Sequence, residues 1–417
     1  MYSHEEYEKR VTDLFERHQS VQSVGFTGEA YKPGLDGMKA LAGMLGNPQE
    51  RFRSIHVAGT NGKGSVCSMI AAGLAGKGLK VGLYTSPHLL DFRERIKIVS
   101  GSSFTMIPEE DVLEFLDSAE LDGRSFFEIT TAMAFWWFAR QEVDYAVIEG
   151  GLGGLLDSTN IIVPELSVIT RIGLDHCAIL GGTRPEIAGQ KAGIFKPGVP
   201  ALVWGHDAET DDVFVRLASE SGSDLHFADE WPEATNLVTD IDGPCSSTNL
   251  RTVLAAFDIL GIEPEIGNIR AAGQVTGFHG RWELVHTSPD VICDIGHNPP
   301  ALSLTFSKLQ SFGRPLIIVY GVMADKDLDG IAPLMPASAE YVLVAPGTSR
   351  ALPSDILGRR LAELRPELSA TVCASVAEGV ETSLQMSKSQ ENALVFIGGS
   401  TFVVSEALQY LKNNCAL

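Results

Sequence analysis

The string HVAGTNGKGSV, His56 to Val66, places glycines, a lysine and two hydroxyl residues between an apolar run and the start of a helical pattern. A strand that turns through glycines into a helix aims backbone N–H groups and the positive end of the helix dipole at one point. That arrangement suits a bound phosphate, and Gly59, Gly62 and Gly64 let the backbone approach it closely. Thr60 and Asn61 complete the loop, and Lys63 is placed to neutralise β- and γ-phosphate oxygens. Ser65 or Thr60 is a candidate for a magnesium shell. In the common phosphate loop Ser or Thr follows the lysine directly, whereas here Gly64 intervenes. The bland alternative is a glycine-rich turn without a ligand; the length of the string and its strand–helix setting favour a nucleotide.

Other residues stand out by type and place. Glu149 ends the apolar run YAVIE, and carboxylates at the carboxyl ends of strands in open sheets face the ligand crevice. A magnesium ion explains an acid there, and a helix cap or a solvated acid is the alternative. His176 follows SVIT within GLDH and reads, on residue type, as a buried hydrogen-bonded side chain. Lys191 in GQKAGIF reads as a surface lysine on an amphipathic helix. Asp294 ends VICD, His297 follows in GHNP, and Arg281 sits in GRW. Arginine suits phosphate because its fork is always charged and bidentate, although a cap or an ion pair remains open for all three.

These residues need elements to hold them. FRSIHVAG, KVGLYTS, DYAVIEGG, ELSVITRIG and VPALVW read as buried strands, and VCSMIAAGLAGKG, IPEEDVLEFLDSAE, FFEITTAMAFWWFAR and PEIAGQKAGIF as helices between them. A helical stretch and the loop GFTGEAYKPGLDG precede the first strand. Strands without polar alternation, separated by helices, predict a parallel sheet covered on both faces. After Asp240 comes the helix SSTNLRTVLAAFDILG, a connection GFHGRWELV, and four apolar runs, DVICDIG, PLIIVYG, AEYVLVAP and ALVFIGG. The expected architecture is α/β in two domains: a large P-loop-type parallel-sheet domain at 1–280 and a smaller Rossmann-like domain at 281–417.

Composition bounds the function. The 417 residues carry a net charge of −21, which argues against a nucleic-acid partner. No apolar stretch is long enough to span a bilayer, and the polar start has no signal core. Cys67, Cys177, Cys245, Cys293, Cys373 and Cys415 have neither C-x-x-C nor zinc spacing and read as buried free thiols of a reducing compartment. Cys415 stands third from the end and is not a prenylation site. A cytoplasmic protein is expected.

The string GTNGKGS resembles the ATP loop of the Mur ligase superfamily. TSPHL, FFEITTAMAF, GLGG-x-LDSTN, ITRIGLDH, KAGIFKPGVP, HGRWE, DIGHNP and DKD follow in order and resemble its folylpolyglutamate synthase and dihydrofolate synthase members. The resemblance runs from about Gly25 to about Ser400. It implies an enzyme that phosphorylates a folate-type carboxylate with ATP and joins it to the amine of L-glutamate. It implies Ser86, Glu149 and His176 as magnesium ligands, and a carbamylated Lys191 at a second magnesium, with room for a monovalent cation. A desolvated lysine is required for that modification. Asp294 would hold the ribose hydroxyls and His297 and Arg281 the phosphates, with the small domain closing over ATP at the interface; Asn249 would lie near the adenine. Lys63, Lys191 and His297 are the catalytic candidates. Phe127, Thr130, Asp157 and Ser158 fall where relatives hold the pterin or its carboxylate, although an aromatic on an apolar helix is more often core. A monomer is implied.

Leu155 stands where the family pattern has arginine, and Gln190 where it has glutamate. Gly150, Arg171 and DIGHN also depart from it. The nucleotide and metal residues are retained, so the expectation is ligase chemistry with an altered acceptor region. The alternatives are a paralogous ligase using another carboxylate and a nucleotide-binding homologue that has lost ligation.

Overall fold

The computed structural model describes residues 3–18, 32–234 and 236–414. Cys415 and residues 25–31 of the loop read from the sequence lie outside them. The chain divides into two compact units, Met1–Asp240 with Cys245–Phe278, and Ile241–Pro244 with His279–Leu417.

The first unit carries an eight-stranded sheet in the order β4-β3-β2-β5-β1-β6-β7-β8. Its strands are β1 (Arg53–Ala58), β2 (Val81–Tyr84), β3 (Ile96–Ser100), β4 (Ser103–Met106), β5 (Tyr145–Glu149), β6 (Leu166–Ile169), β7 (Ala201–Val203) and β8 (Leu225–Phe227). β1 lies centrally, with Val57 beside Glu149 on one side and Ala58 beside Ile169 on the other. Every residue of β1 after Arg53 is buried, which is why this strand reads as a continuous apolar run. The sheet is not wholly parallel, as the sequence had suggested. β3 runs antiparallel to β2, and β4 to β3. Gly101 (φ 58°) and Ser102 close that hairpin between the paired Ser100 and Ser103, a left-handed turn matched to strand twist.

Helices cover the sheet: α1 (His4–Arg17), α2 (Asp36–Met44), α3 (Lys63–Ala75), α4 (Glu109–Ser118), α5 (Phe126–Arg140), α6 (Arg184–Ala192), α7 (Asp211–Ser221) and α8 (Ser246–Leu260). α3 is buried from Gly64 to Ala75, and α8 packs on it. α5 is nearly all buried, as its apolar circumference requires. Its start is fixed by a capping box: Ser125 Oγ accepts the Glu128 N–H, and Glu128 Oε2 accepts the Ser125 N–H.

The second unit has a six-stranded sheet ordered β13-β12-β11-β14-β10-β9. Its strands are β9 (Glu283–His286), β10 (Asp290–Asp294), β11 (Leu316–Tyr320), β12 (Glu340–Leu343), β13 (Ser369–Val372) and β14 (Leu394–Gly398). The four expected apolar runs are β10, β11, β12 and β14. The segment read as a connection contains β9, which pairs antiparallel to β10. Helices α9 (Pro299–Ser311), α10 (Ser354–Leu364), α11 (Val376–Ser387) and α12 (Thr401–Asn414) complete it around a core that includes Phe306, Tyr320, Tyr341 and Phe396. Among the described residues no helix is long and apolar enough to cross a membrane. Cys67, Cys293 and Cys373 are buried free thiols, but Cys177 is exposed and Cys245 half-buried, which corrects the reading of a uniformly buried set.

Candidate active site

The loop after β1 has the geometry its residue types require. Gly59 (φ 152°) and Gly62 (φ 94°) occupy left-handed conformations that other residues rarely take. A Cβ on Gly62 would lie 2.6 Å from Asn249 Oδ1, so α8 brings Asn249 against the loop. Gly64, which separates the lysine from the serine, faces the ring of Phe278, and a Cβ there would lie 2.8 Å from a ring carbon. Lys63 opens α3, and Ser65 is buried in its first turn. The Thr60 hydroxyl donates to the Gly173 carbonyl and accepts the Gly173 N–H, both at 3.1 Å. The Thr60 hydroxyl is thus engaged on both its donor side and one acceptor side, whereas the Ser65 hydroxyl sits in the first turn of α3. The main chain is pinned further: the Arg171 carbonyl accepts the N–H groups of Thr60 (2.8 Å) and Asn61 (3.3 Å).

Charged groups converge behind this loop. Glu149, at the end of β5, is 3% exposed; its Oε2 accepts the Ser86 N–H at 3.0 Å, and its Oε1 lies 3.9 Å from Lys63 Nζ. Lys63 Nζ also donates to the Thr60 carbonyl at 3.4 Å. Lys191, which the sequence offered as a surface lysine, is buried and donates Nζ–H to the Gly59 carbonyl at 2.7 Å. Burial and the nearby Lys63 charge bring its amine down to about 7. His176 is not the buried side chain its type suggested. It sits in a left-handed conformation (φ 53°) with 30% of its side chain exposed, and its Nε2 lies 3.7 Å from Asp175 Oδ2.

Among the described residues no three His, Cys, Asp or Glu side chains gather into a metal cage. Magnesium does not need one, since it binds through one or two carboxylates and the phosphates of its substrate. Glu149, whose Oε2 lies 3.0 Å from the Ser86 backbone nitrogen, offers a buried carboxylate that fits this mode, with Lys63 as the neighbouring cation 3.9 Å away.

The acceptor-side residues form a second cluster. Phe127 is half-buried on α5, and Gly151 has no room for a side chain because the Phe127 ring fills it. Thr130 is fully buried, and its hydroxyl is shared between Tyr84 Oη (2.9 Å) and the Phe127 carbonyl (3.3 Å). The second of these bonds ties Thr130 to the turn of helix that carries Phe127. Asp157 caps the turn Ser158–Ile161: Oδ2 accepts the Leu152 N–H at 2.7 Å, and Oδ1 accepts the Thr159 N–H at 3.0 Å and the Thr159 hydroxyl. Burial pushes the Asp157 carboxyl up against these donors. Ser158 follows, 8% exposed. Thr159 also meets His56 Nε2 at 2.8 Å. His56 and Tyr84 were missed as partners of this cluster; the histidine opens the phosphate-loop string itself, which was the available signal. Leu155 is 46% exposed; its main chain is tied through its N–H to the Gln190 carbonyl at 2.8 Å and through its carbonyl, which accepts from Asn160 Nδ2 at 3.0 Å.

In the second unit, Asp294 ends β10 with 8% exposure. Its Oδ1 accepts the Gly296 N–H (2.7 Å) and its Oδ2 the Trp282 N–H (3.0 Å). Burial raises its carboxyl, and the Arg281 charge opposes that. His297 donates Nδ1–H to the Ile295 carbonyl at 3.0 Å, which places a proton on Nδ1. Asn298 caps α9 through the Ala301 N–H.

Comparison with known proteins gives a consistent picture. Residues 57–253 match the Mur ligase middle domain, and residues 280–401 the Mur ligase glutamate ligase domain. The dihydrofolate synthase/folylpolyglutamate synthase of Bacillus subtilis is 33% identical over 416 residues, covering 91% of this chain and 95% of its own. The Mycobacterium tuberculosis folylpolyglutamate synthase complexed with ADP superposes with a TM-score of 0.85 at 26% identity, covering 99% of both chains. The bifunctional folylpolyglutamate synthase/dihydrofolate synthase of Yersinia pestis, complexed with AMPPNP and a manganese ion, has a TM-score of 0.82 at 27% identity and covers 97% of this chain and 98% of its own.

Proposed function

Since the chain belongs to the folylpolyglutamate synthase and dihydrofolate synthase family of Mur ligases, and is an ATP-dependent glutamate ligase, we propose that it joins L-glutamate to the carboxylate of dihydropteroate, of a glutamylated tetrahydrofolate, or of both. A carboxylate is a poor electrophile until its oxygen is made a good leaving group. Its oxygen attacks the γ-phosphorus, the bond to ADP breaks, and an acyl phosphate forms. The neutral glutamate amine then attacks the acyl carbon, phosphate leaves with the C–O electrons, and the proton released from nitrogen passes to the departing phosphate or water. Both steps gather negative charge, so the work of the protein is to hold anions together and neutralise them.

The observation that carries this reading is the phosphate loop with Lys63 Nζ 3.9 Å from Glu149 and Lys191 held on the Gly59 carbonyl. In the loop Gly59–Ser65 the N–H groups from Gly62 to Ser65 cradle the phosphates, those of Thr60 and Asn61 being held by the Arg171 carbonyl, and Lys63 neutralises the phosphate oxygens. Magnesium would be held by Ser86, Glu149 and His176, with a carbamylated Lys191 at a second ion, and would supply further charge neutralisation. The lowered pKa of Lys191 supports the carbamate, because a neutral amine is the form that adds carbon dioxide. Asn249 contacts the adenine, and Phe127, Thr130, Asp157 and Ser158 contact the acceptor. Arg281 and His297 are assigned to phosphates and Asp294 to the ribose. We further assign the protein as a cytoplasmic monomer.

The test is incubation with ATP, magnesium and L-glutamate plus either 7,8-dihydropteroate or a reduced folate, read by mass. Addition of one glutamate to either acceptor is expected, and Lys63→Ala is expected to abolish it with the fold intact. Normal turnover in Lys63→Ala sinks the site assignment. ATP binding without product on either acceptor sinks the substrate assignment.

A further inference from the structure

Arg171 follows β6 and Trp204 follows β7, adjacent parallel strands, so both stand at the carboxyl edge where open sheets bind ligands. The Arg171 guanidinium lies over the Trp204 ring, 4.7 Å from its centroid. Trp204 is held in place by its N–H to the Ile169 carbonyl at 2.8 Å. The Arg171 carbonyl is the group that accepts Thr60 and Asn61 of the phosphate loop, so its side chain starts from the loop's own edge.

Two buried donors here have no acceptor, Arg171 Nε and Trp204 Nε1. Among the described residues no carboxylate pairs with the Arg171 guanidinium, although the chain carries 53 acids against 32 bases. Several other arginines differ. Arg53, Arg184 and Arg314 are paired with Glu165, Asp207 and Asp290. Arg124 and Arg251 also leave Nε bare, yet Arg124 donates to the Gly37 carbonyl and Arg251 lies 3.9 Å from Glu233. A half-buried cation without a counter-charge is unfavourable unless an anion arrives to complete it. A lid over Trp204 accounts for the stacking but not for the missing anion.

We propose that Arg171 is a nucleotide-binding residue, its guanidinium pre-set on Trp204 to take a phosphate oxygen of ATP. This rests on the reading of Gly59–Ser65 as the phosphate loop. It adds a cation on the first unit, at a position where the family pattern has a small or amide residue. The main-chain bonds to Thr60 and Asn61 survive any substitution of the side chain, so the loop itself is left standing in the variants.

The experiment is isothermal titration of the full chain with adenosine, ADP and ATP, for wild type, Arg171→Gln, Arg171→Glu, Trp204→Leu and Lys63→Ala. Arg171→Gln is expected to weaken ADP and ATP about tenfold, the worth of one charge-assisted contact. Arg171→Glu is expected to weaken them more, and adenosine is expected to bind all Arg171 variants as it binds wild type, which also reports that they are folded. Trp204→Leu, which removes the platform but keeps the charge, is expected to lose part of the same phosphate-dependent affinity. Equal losses for adenosine and ATP, equal losses for Gln and Glu, or no loss at all overturn the proposal. Lys63→Ala separates the two readings. If it keeps full ATP affinity, the phosphate loop itself is misassigned; if it loses affinity while Arg171→Gln does not, only Arg171 is.

Discussion

His56 lies on the central strand with no exposure, and burial brings its imidazole down to about 3. The Thr159 hydroxyl donates to Asp157, so its oxygen is left to accept from His56, which places the proton on Nε2 and leaves Nδ1 buried without a partner. The folded state therefore holds this group neutral while the unfolded chain protonates it near pH 6.5. The unfolded state binds more protons as pH falls below 6.5, so stability falls with it until about pH 3. At pH 5 the loss relative to pH 8 is about 2 kcal/mol from this one residue. The expected outcome is that His56→Gln flattens the pH dependence of urea unfolding between pH 8 and 5 by about that amount. An unchanged slope refutes the buried neutral histidine. Leu155 carries a second residue-scale prediction. It is exposed, and its backbone bond to Gln190 does not depend on its side chain. Leu155→Arg supplies a cation beside the acceptor cluster and is expected to raise kcat/KM for a carboxylate acceptor about tenfold. No change in rate or in the ranking of dihydropteroate against folate removes Leu155 from the acceptor site.

The phosphate loop is the element most completely written in residue types. Glycine at 62 meets both a left-handed φ and the Asn249 side chain, so Gly62→Ala is expected to cost about 1–3 kcal/mol in urea unfolding and to weaken ATP binding. Unchanged values of both require the loop to relax in a way the tight Asn249 approach does not allow. β1, α3 and α5 were equally legible because their burial makes long apolar runs. The β3–β4 hairpin was not. Lys97 on β3 is buried, with Nζ donating to the Thr276 and Gly277 carbonyls at 2.9 and 2.6 Å, and a lysine inside a strand hides its inward face from any hydropathy reading. β13 was hidden for the opposite reason, being an exposed edge strand, SATV, with no apolar side to read. In the site, the order of motifs located Lys191, but its burial depends on a bond to Gly59, 132 positions away. The Arg171–Trp204 stack likewise joins two strand ends that no local spacing connects.

At the scale of the molecule, the division between the units interleaves the chain, since Cys245–Phe278 returns to the first unit after Ile241–Pro244 has joined the second. The physical reason is α3. It is buried on every side from Gly64 to Ala75, and α8 supplies much of the cover; Gly73 leaves room for the Phe257 ring, and a Cβ there would lie 2.6 Å from it. Leu250, Val253, Phe257, Ile269 and Val275 are all buried in this returning segment. At roughly 2 kcal/mol for each such side chain they contribute about 10 kcal/mol, comparable to the whole stability of an ordinary domain. A chain ending at Asp240 is therefore expected to lack a cooperative melt and to bind a hydrophobic dye, whereas one ending at Phe278 is expected to melt cooperatively by circular dichroism. Lys97 gives the same contrast at one residue, because its two carbonyl partners are lost with the segment and its ammonium is left buried without acceptors. Equal midpoints for the two truncations mean that the phosphate-loop helix is held by the sheet alone and that Cys245–Phe278 is dispensable to the first unit.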